Sequence, residues 1–361
     1  MQKLITILFK PTRINLMYSL YPFWTSKYSS LFSFSENEEW VLKKDRNRFV
    51  LLVGWFDGRE EPAKRILFLE KLKKKYDKVF FFDTNDGSES HYLDLMPYID
   101  KYYKKQVFVD KSNYSKSFYG NRIFTDFYHK NFGIVEEKPK EPLPVVQNQN
   151  DLEKISVLWN LGIGQYPLSK PRNFIAKKGV KFLGKSLMSQ VFSKKSFLQE
   201  IPSPLIEHCQ ARFGYSGYRE TVGYQRKIFI EILKQHPLFL TGLIPSNEYK
   251  KELKNVKAVF SPFGWGEICF RDFEAIISGA VLIKPDVSHI QTWPNIYVPN
   301  KTYIPVKWDG SDIIEKTEEL FRNPTTLDKL RKEAWLIFNQ SYKDLDHKVM
   351  RVITDFGLIL D

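Results

Sequence analysis

The stretch Ser261-Pro-Phe-Gly-Trp-Gly-Glu-Ile-Cys-Phe-Arg-Asp-Phe-Glu-Ala-Ile-Ile-Ser-Gly-Ala-Val-Leu-Ile-Lys-Pro285 decides how the whole chain is read. It is entered through Lys257-Ala-Val-Phe-Ser261, an apolar run of strand length. A loop with Gly264 and Gly266 follows. A helix is then predicted over 270–279, closed by Gly279, and Ala280-Val-Leu-Ile-Lys284 reads as the next strand. Strand, loop, helix and strand in so few residues define a parallel α/β unit, and ligands of such sheets bind where strands end and helices begin. Glycines allow close backbone approach, and helix N-termini attract anions. Glu267, Arg271 and Glu274 fall at this spot, the last two sharing a helix face. The guanidinium fork of Arg271 suits a diphosphate, and Glu274 suits ribose hydroxyls. A solvated Arg–Glu pair of little energetic consequence fits the same spacing.

Working outward, the same alternation recurs on both sides. Arg48-Phe-Val-Leu-Leu-Val53 and Lys78-Val-Phe-Phe-Phe-Asp83 are buried strands flanking a helix over 61–75, each followed by a polar turn. Lys105 to Asp110 is a third candidate strand, 137–153 a surface loop, and Ile155 to Trp159 a further strand. Beyond residue 205 the pattern gives a helix over 219–234, a strand over 238–242, and helices over 311–321 and 326–340. Residues 1–45 have no clean period, although Met1 to Lys10 reads as structure and not as a cleaved signal. The expected architecture is α/β, with two Rossmann-like domains facing across a cleft: 1–200 for an acceptor, 201–345 for a donor, and a tail over 346–361 that packs back on the first. No internal repeat is visible.

With 361 residues, 43% of them hydrophobic, the chain is globular and long enough for two cores. Its two cysteines, Cys209 and Cys269, cannot form a disulfide framework and suit a reducing compartment. No apolar run reaches membrane-spanning length. The net charge of +13 calls for an anionic partner. It is concentrated in 170–195, where eight Lys or Arg residues stand among apolar ones, within an acid-free stretch from Ile155 to Gln199. That pattern suits an amphipathic element on anionic lipid, or simply a solvated basic element of the fold. No signature of a common RNA-binding module is present, so nucleic acid is not the expected partner.

The motif resembles the C-terminal donor motif of retaining GT-B glycosyltransferases, in which a glycine loop and a first Glu precede Glu-Ala-(apolar)-Ala-x-Gly-x-Pro-Val-Ile. Glu274-Ala-Ile-Ile-Ser-Gly-Ala-Val-Leu-Ile283 follows it in register, with Ala280-Val281 where the family places its proline. Glu267 and Glu274 are seven apart, where the family spacing is eight. Ser261, Pro262, Gly264, Arg271, Glu274, Ala275, Ile276 and Gly279 are also similar to the exostosin-like pattern. The resemblance implies that Glu274 binds ribose, that Arg271 contacts phosphate, that Gly264, Gly266 and Glu267 line the donor, and that configuration is retained. It implies no metal and no cofactor beyond the nucleotide-sugar substrate.

Other candidates complete the reading. Arg219 and Arg226, seven apart on one helix face, are expected at the donor phosphates. Asp57, Asp83, Asp86, Glu89 and His91 follow the first two strands and should face the donor domain, so a general base is sought there, with Asp57, Asp83 and Glu267 as the catalytic carboxylates. His289 follows the last strand of the motif. The expected activity is glycosyl transfer from a nucleotide-sugar to a glycan or lipid-linked acceptor in cell-envelope polysaccharide synthesis. The expected place is the cytoplasm, peripheral on the membrane's inner face. A basic RNA- or glycan-binding protein and a sugar-nucleotide epimerase are the alternatives.

Overall fold

A computed structural model describes residues 3–10, 14–58, 60–164, 200–204 and 206–359. The basic segment 170–195 lies outside the described residues. Two parallel sheets organise the rest. The first contains β1 (Ile5–Phe9), β2 (Phe32–Ser35), β3 (Phe49–Val53), β4 (Lys78–Asp83), β5 (Lys101–Lys104) and β7 (Ile155–Val157), in the order β2-β1-β3-β4-β5-β7. The second contains β8 (Ile206–Ala211), β9 (Phe239–Thr241), β10 (Val256–Phe260), β11 (Val281–Pro285) and β13 (Tyr303–Val306), in the order β13-β11-β10-β8-β9. Every pairing within both sheets is parallel. In each, the first strand lies inside the sheet, the second runs to its outer side, and the third returns to its inner side. The two halves therefore repeat one doubly wound topology that their sequences do not display. The switch points fall between β1 and β3 and between β8 and β10.

Continuous apolar runs identify central strands because helices cover both faces of a parallel sheet. β1 and β3 are buried at every position. The described helices are α1 (Ile14–Thr25), α2 (Glu38–Lys43), α3 (Pro62–Lys73), α4 (Ile123–Phe132), α5 (Glu220–Leu233), α6 (Ser246–Leu253), α7 (Phe270–Ile277), α8 (Ile313–Arg322), α9 (Pro324–Lys343) and α10 (Leu345–Asp355). Residues 1–45 thus supply β1, α1, β2 and α2, including a central strand of the first sheet.

The segment expected as a third strand over 105–110 is divided differently. β5 ends at Lys104 and pairs with β4, while β6 (Gln106–Phe108) turns away and pairs antiparallel with β12 (Ile290–Thr292) of the second half. The buried Lys104 ammonium explains how a lysine ends a core strand, since it meets the Asp83 carboxylate at 2.7 Å.

Each half also lends the other a helix. From the first half, α4 packs on the second: Phe124 lies 4.9 Å from Phe263, and the Tyr128 hydroxyl donates to the Trp308 carbonyl. From the end of the chain, α10 returns to the first sheet, where Leu345, Val349, Val352 and Ile353 join its core. Just beyond α10, Phe356 stacks on Phe80 at 3.8 Å.

Candidate functional site

The crevice at the second switch point is built from the ends of β8 and β10 and the starts of the helices beside them. Arg212, just past β8, is held by Glu252 of α6 through Nε at 3.0 Å and Nη2 at 2.6 Å. The Arg212 carbonyl in turn accepts from Arg271 Nη2 of α7 at 3.1 Å. Arg271 lies 5.9 Å from the Phe213 ring centroid, and its Nε is shielded from solvent with no acceptor among the described residues. One turn along α7, Glu274 Oε2 accepts from the Tyr249 hydroxyl at 2.8 Å. Burial, then the Glu274 charge, raises the Tyr249 phenol well above its ordinary range, so it remains a donor. A guanidinium and a carboxylate three residues apart thus converge where an open α/β sheet binds its ligand. Sequence reading placed Arg271 and Glu274 here; it missed Arg212, Tyr249 and Glu252, which come from other elements.

The N-terminus of α7 is not a free anion site. Cys269 Sγ accepts the third helical N–H, and Asp272 Oδ2 accepts the Cys269 N–H at 3.0 Å. Asp272 is itself fully buried, paired with Lys284 at 3.2 Å and accepting from the Tyr297 hydroxyl at 2.7 Å. The expected convergence of free N–H groups on a ligand is therefore replaced by a protein cap.

The glycine loop lies in the seam between the halves. A Cβ on Gly266 would stand 1.8 Å from the Asp86 carbonyl oxygen, whereas one on Gly264 would meet nothing closer than Cys269 Sγ at 3.5 Å. The close approach that demands glycine is to the other half's backbone. Glu267 crosses with it: Ser88 donates to its carboxylate from Oγ at 2.7 Å and from N at 3.2 Å, and His289 Nε2 lies 3.6 Å away. Burial alone would raise Glu267, but His289, the Ser88 hydroxyl and Arg122 override it and hold the carboxyl at about 2. Glu89, also buried, accepts the Ile123 N–H at 2.6 Å, and Arg122 Nη1 stands 3.6 Å from its Oε2. Burial, and then the charge of Glu267, pushes Glu89 up to about 7. Two carboxylates from opposite halves are thereby driven apart in acidity.

The remaining candidates have other surroundings. Asp83 is completely enclosed by Lys104, Ser90, Tyr102 and the Asn85 N–H, and the lysine outweighs burial to keep it below its ordinary value. It holds the fold and meets no cleft. Asp57 is half-buried in the turn after β3, whose neighbouring Gly58 faces the His91 ring. His91 is driven down to about 4 by burial and by Arg122. Arg226 is spent on the carbonyls of Gly214 at 2.5 Å and Phe263 at 2.7 Å, stacked 4.6 Å from the Tyr218 ring, and so braces the crevice from beneath. Arg219, at the start of α5, stands 3.7 Å from Glu136 of the first half. Among the described residues, no cluster of His, Cys, Asp or Glu is arranged to hold a metal, and no helix is long and apolar enough to cross a membrane.

No protein-family model matches the sequence, and no curated protein matches it. Solved structures do match in shape. An alpha-glucosyltransferase in complex with UDP aligns over 98% of this chain and 100% of its own, at 9% identity and a TM-score of 0.42. The DNA-modifying enzyme beta-glucosyltransferase aligns over 98% and 99%, at 13% identity and a TM-score of 0.45. The pneumococcal O-GlcNAc transferase GtfA, in complex with UDP and GlcNAc, aligns over 89% of this chain and 60% of its own, at 12% identity and a TM-score of 0.46.

Proposed function

We propose that the protein is a glycosyltransferase of the GT-B type that transfers a sugar from a nucleotide-sugar donor held in the second half to an acceptor presented by the first. The observation that carries this reading is the Arg271–Glu274–Tyr249 constellation at the β8/β10 switch point. Glu274 accepts hydrogen bonds from the ribose, with Tyr249 orienting its carboxylate. Arg271 neutralises the diphosphate, including the charge that develops as it leaves. Catalysis is chiefly positioning and charge stabilisation in a cleft between the halves. Glu267 serves this reaction by seating the glycine loop against the first half, since its oxygens are occupied by Ser88. The acceptor we favour is a lipid-linked glycan of a cell-envelope polysaccharide, for which the net charge of +13 and the basic run 170–195 offer an anionic membrane surface as the meeting place.

The test is Glu274→Gln, which keeps the shape and removes the acceptor charge. Transfer or hydrolysis of the nucleotide-sugar that the wild type turns over should fall at least about tenfold, roughly 1.4 kcal/mol, with the melting temperature unchanged. Full activity in a folded Glu274→Gln protein would refute the donor assignment.

A further inference from the structure

Three of the large apolar side chains exposed among the described residues stand on successive loops at one edge of the second sheet. Tyr215 is 47% exposed on the loop after β8, Leu243 79% on the loop after β9, and Trp265 47% on the loop after β10. These loops follow the carboxyl ends of their strands, the edge where a parallel sheet receives its ligand. Exposed apolar residues scattered singly need no explanation, whereas a rim of them beside a crevice marks a contact surface.

Trp265 is the largest of the three and the most firmly placed. Its carbonyl accepts from Arg122 Nε of the first half at 3.1 Å, the Gly264 N–H donates to the Gly266 carbonyl at 3.1 Å, and Gly266 lies against the Asp86 carbonyl. The backbone is thus fixed on both sides of a side chain that the fold does not use. Among the described residues the indole joins none of the hydrophobic cores, its one ring contact is Tyr218 at 5.1 Å and 38°, and its N–H has no acceptor. Tyr218 is itself backed by the Arg226 guanidinium at 4.6 Å, which the Gly214 and Phe263 carbonyls hold. A rigid indole so placed offers a flat apolar surface with one hydrogen-bond donor at its rim. A pyranose ring is its chemical complement, since C–H groups make one face of that ring apolar while hydroxyls line its edge.

Position selects which sugar. Glu274 and its partner Tyr249 stand toward the β9 side, because α6 follows β9 and carries Tyr249. Trp265 stands toward the seam, on the loop that Arg122 and Asp86 of the first half touch. With ribose at Glu274 and diphosphate at Arg271, the far end of a donor is directed toward that seam, where an acceptor enters from the first half. The sugar in transfer must be shielded from water, whereas Trp265 is half exposed and stands at the mouth.

We infer that Trp265 is the stacking platform for a sugar ring of the acceptor, and that its indole N–H donates to a hydroxyl of that ring. This rests on the functional reading above for the acceptor's place, and on the exposure and fixing of Trp265 for the existence of the platform. Its part is binding, so its loss enters KM and not kcat.

The experiment is saturation-transfer NMR of methyl hexopyranosides, in gluco, galacto and 2-acetamido forms, with wild type, Trp265→Ala and Trp265→Phe. Melting temperatures serve as the folding check. Wild type should pass saturation chiefly to the ring protons on one face of a bound glycoside. Trp265→Ala should lose at least about tenfold in affinity with its melting temperature unchanged, and Trp265→Phe, which keeps a flat ring without the N–H, should recover part of the loss. In transfer kinetics with the nucleotide-sugar that the wild type turns over, Trp265→Ala should raise the acceptor KM by a similar factor and leave the donor KM within about twofold. No glycoside binding to wild type, equal binding by Trp265→Ala, or a donor KM that rises as far as the acceptor's overturns the inference. If a nucleotide-sugar is turned over while Trp265→Ala changes nothing, the inference fails and the transferase reading stands. If glycosides bind through Trp265 while no nucleotide-sugar is turned over, the sugar platform survives and the transferase reading falls.

Discussion

Replacing Gly266 with Ala separates two roles a loop glycine can have. A ligand-facing glycine would tolerate a methyl group until substrate arrives. Here the added Cβ would lie 1.8 Å from the Asp86 carbonyl oxygen, 2.3 Å from its carbon and 3.0 Å from the Gly87 nitrogen, all of them backbone. Ordinary contact needs about 3.5 Å, so the two loops must separate by well over ~1 Å, and no rotamer change can absorb it. The Ser88 bonds to Glu267, at 2.7 and 3.2 Å, then pass out of hydrogen-bond range. Glu267 would keep His289 but be left as a buried charge without its two Ser88 donors, at a cost of about 3–5 kcal/mol for two charge-assisted bonds. For a chain of this length that is a melting temperature lower by roughly 5 °C, with Trp265 emission shifting as its loop moves. Gly264→Ala is the control in the same loop, because its Cβ would make only ordinary contacts at 3.5 and 3.8 Å. It should fall within about 1 kcal/mol of wild type. Equal stability of the two variants by thermal and denaturant unfolding would refute the argument that the seam, and not a ligand, requires Gly266.

Two further outcomes follow from the site. Arg271→Ala should weaken a nucleoside diphosphate by on the order of 2 kcal/mol, about thirtyfold, while leaving the nucleoside within about threefold, and Arg271→Lys should recover only part of the loss; calorimetry showing equal loss for both ligands would make Arg271 a structural support. Because Glu89 is raised to about 7 in the folded protein, its contribution is complete below about 4.5, its usual value, and is lost as pH rises through 7, whereas that of Glu267, lowered to about 2, is constant across this window. Glu89→Gln should therefore remove on the order of 3 kcal/mol of pH dependence between pH 4.5 and 8, read as melting temperature against pH, and parallel curves for mutant and wild type would exclude the buried carboxylate pair as its source.

How much of this was legible in sequence depended on whether the deciding partner was local. The unit 261–285 could be read because its strands, loop and helix follow one another, and because Arg271 and Glu274, three apart, share one helix face. Residues 1–45 could not. Central strand β1 carries Thr6 in the middle of its apolar run, satisfied by the Asn47 amide at 2.8 Å and by Asp45, both some forty residues away. The helix α1 carries Pro22 within it, which reads as a break. β5 ends in a lysine, a residue that reads as surface in sequence and is buried here only because Asp83 stands beside it. Glu136 borders a loop rich in Pro, Glu and Asn, and nothing near it announces Thr221, eighty-five residues on. Arg226 was misplaced toward the donor for the opposite reason: helical spacing gives its face but not the two carbonyls that consume it.

The contacts that join the halves fall into two physical kinds, and the difference bears on how a donor could enter. The β6–β12 ladder is backbone pairing, and α10 adds a row of fully buried apolar side chains to the first sheet. Separating either exposes a ladder or a core face, so both belong to the permanent fold. The contacts of Glu136 with α5 and of Glu267 with Ser88 are single side chains. Single side-chain contacts open before ladders and cores do. The halves are thus joined by a strand pair and a helix, with the two glutamates as lighter contacts between them. Glu267 follows β10 and Glu136 caps the helix that follows β8, so both contacts lie beyond the carboxyl ends of strands of the second sheet, the edge where a parallel fold receives its ligand.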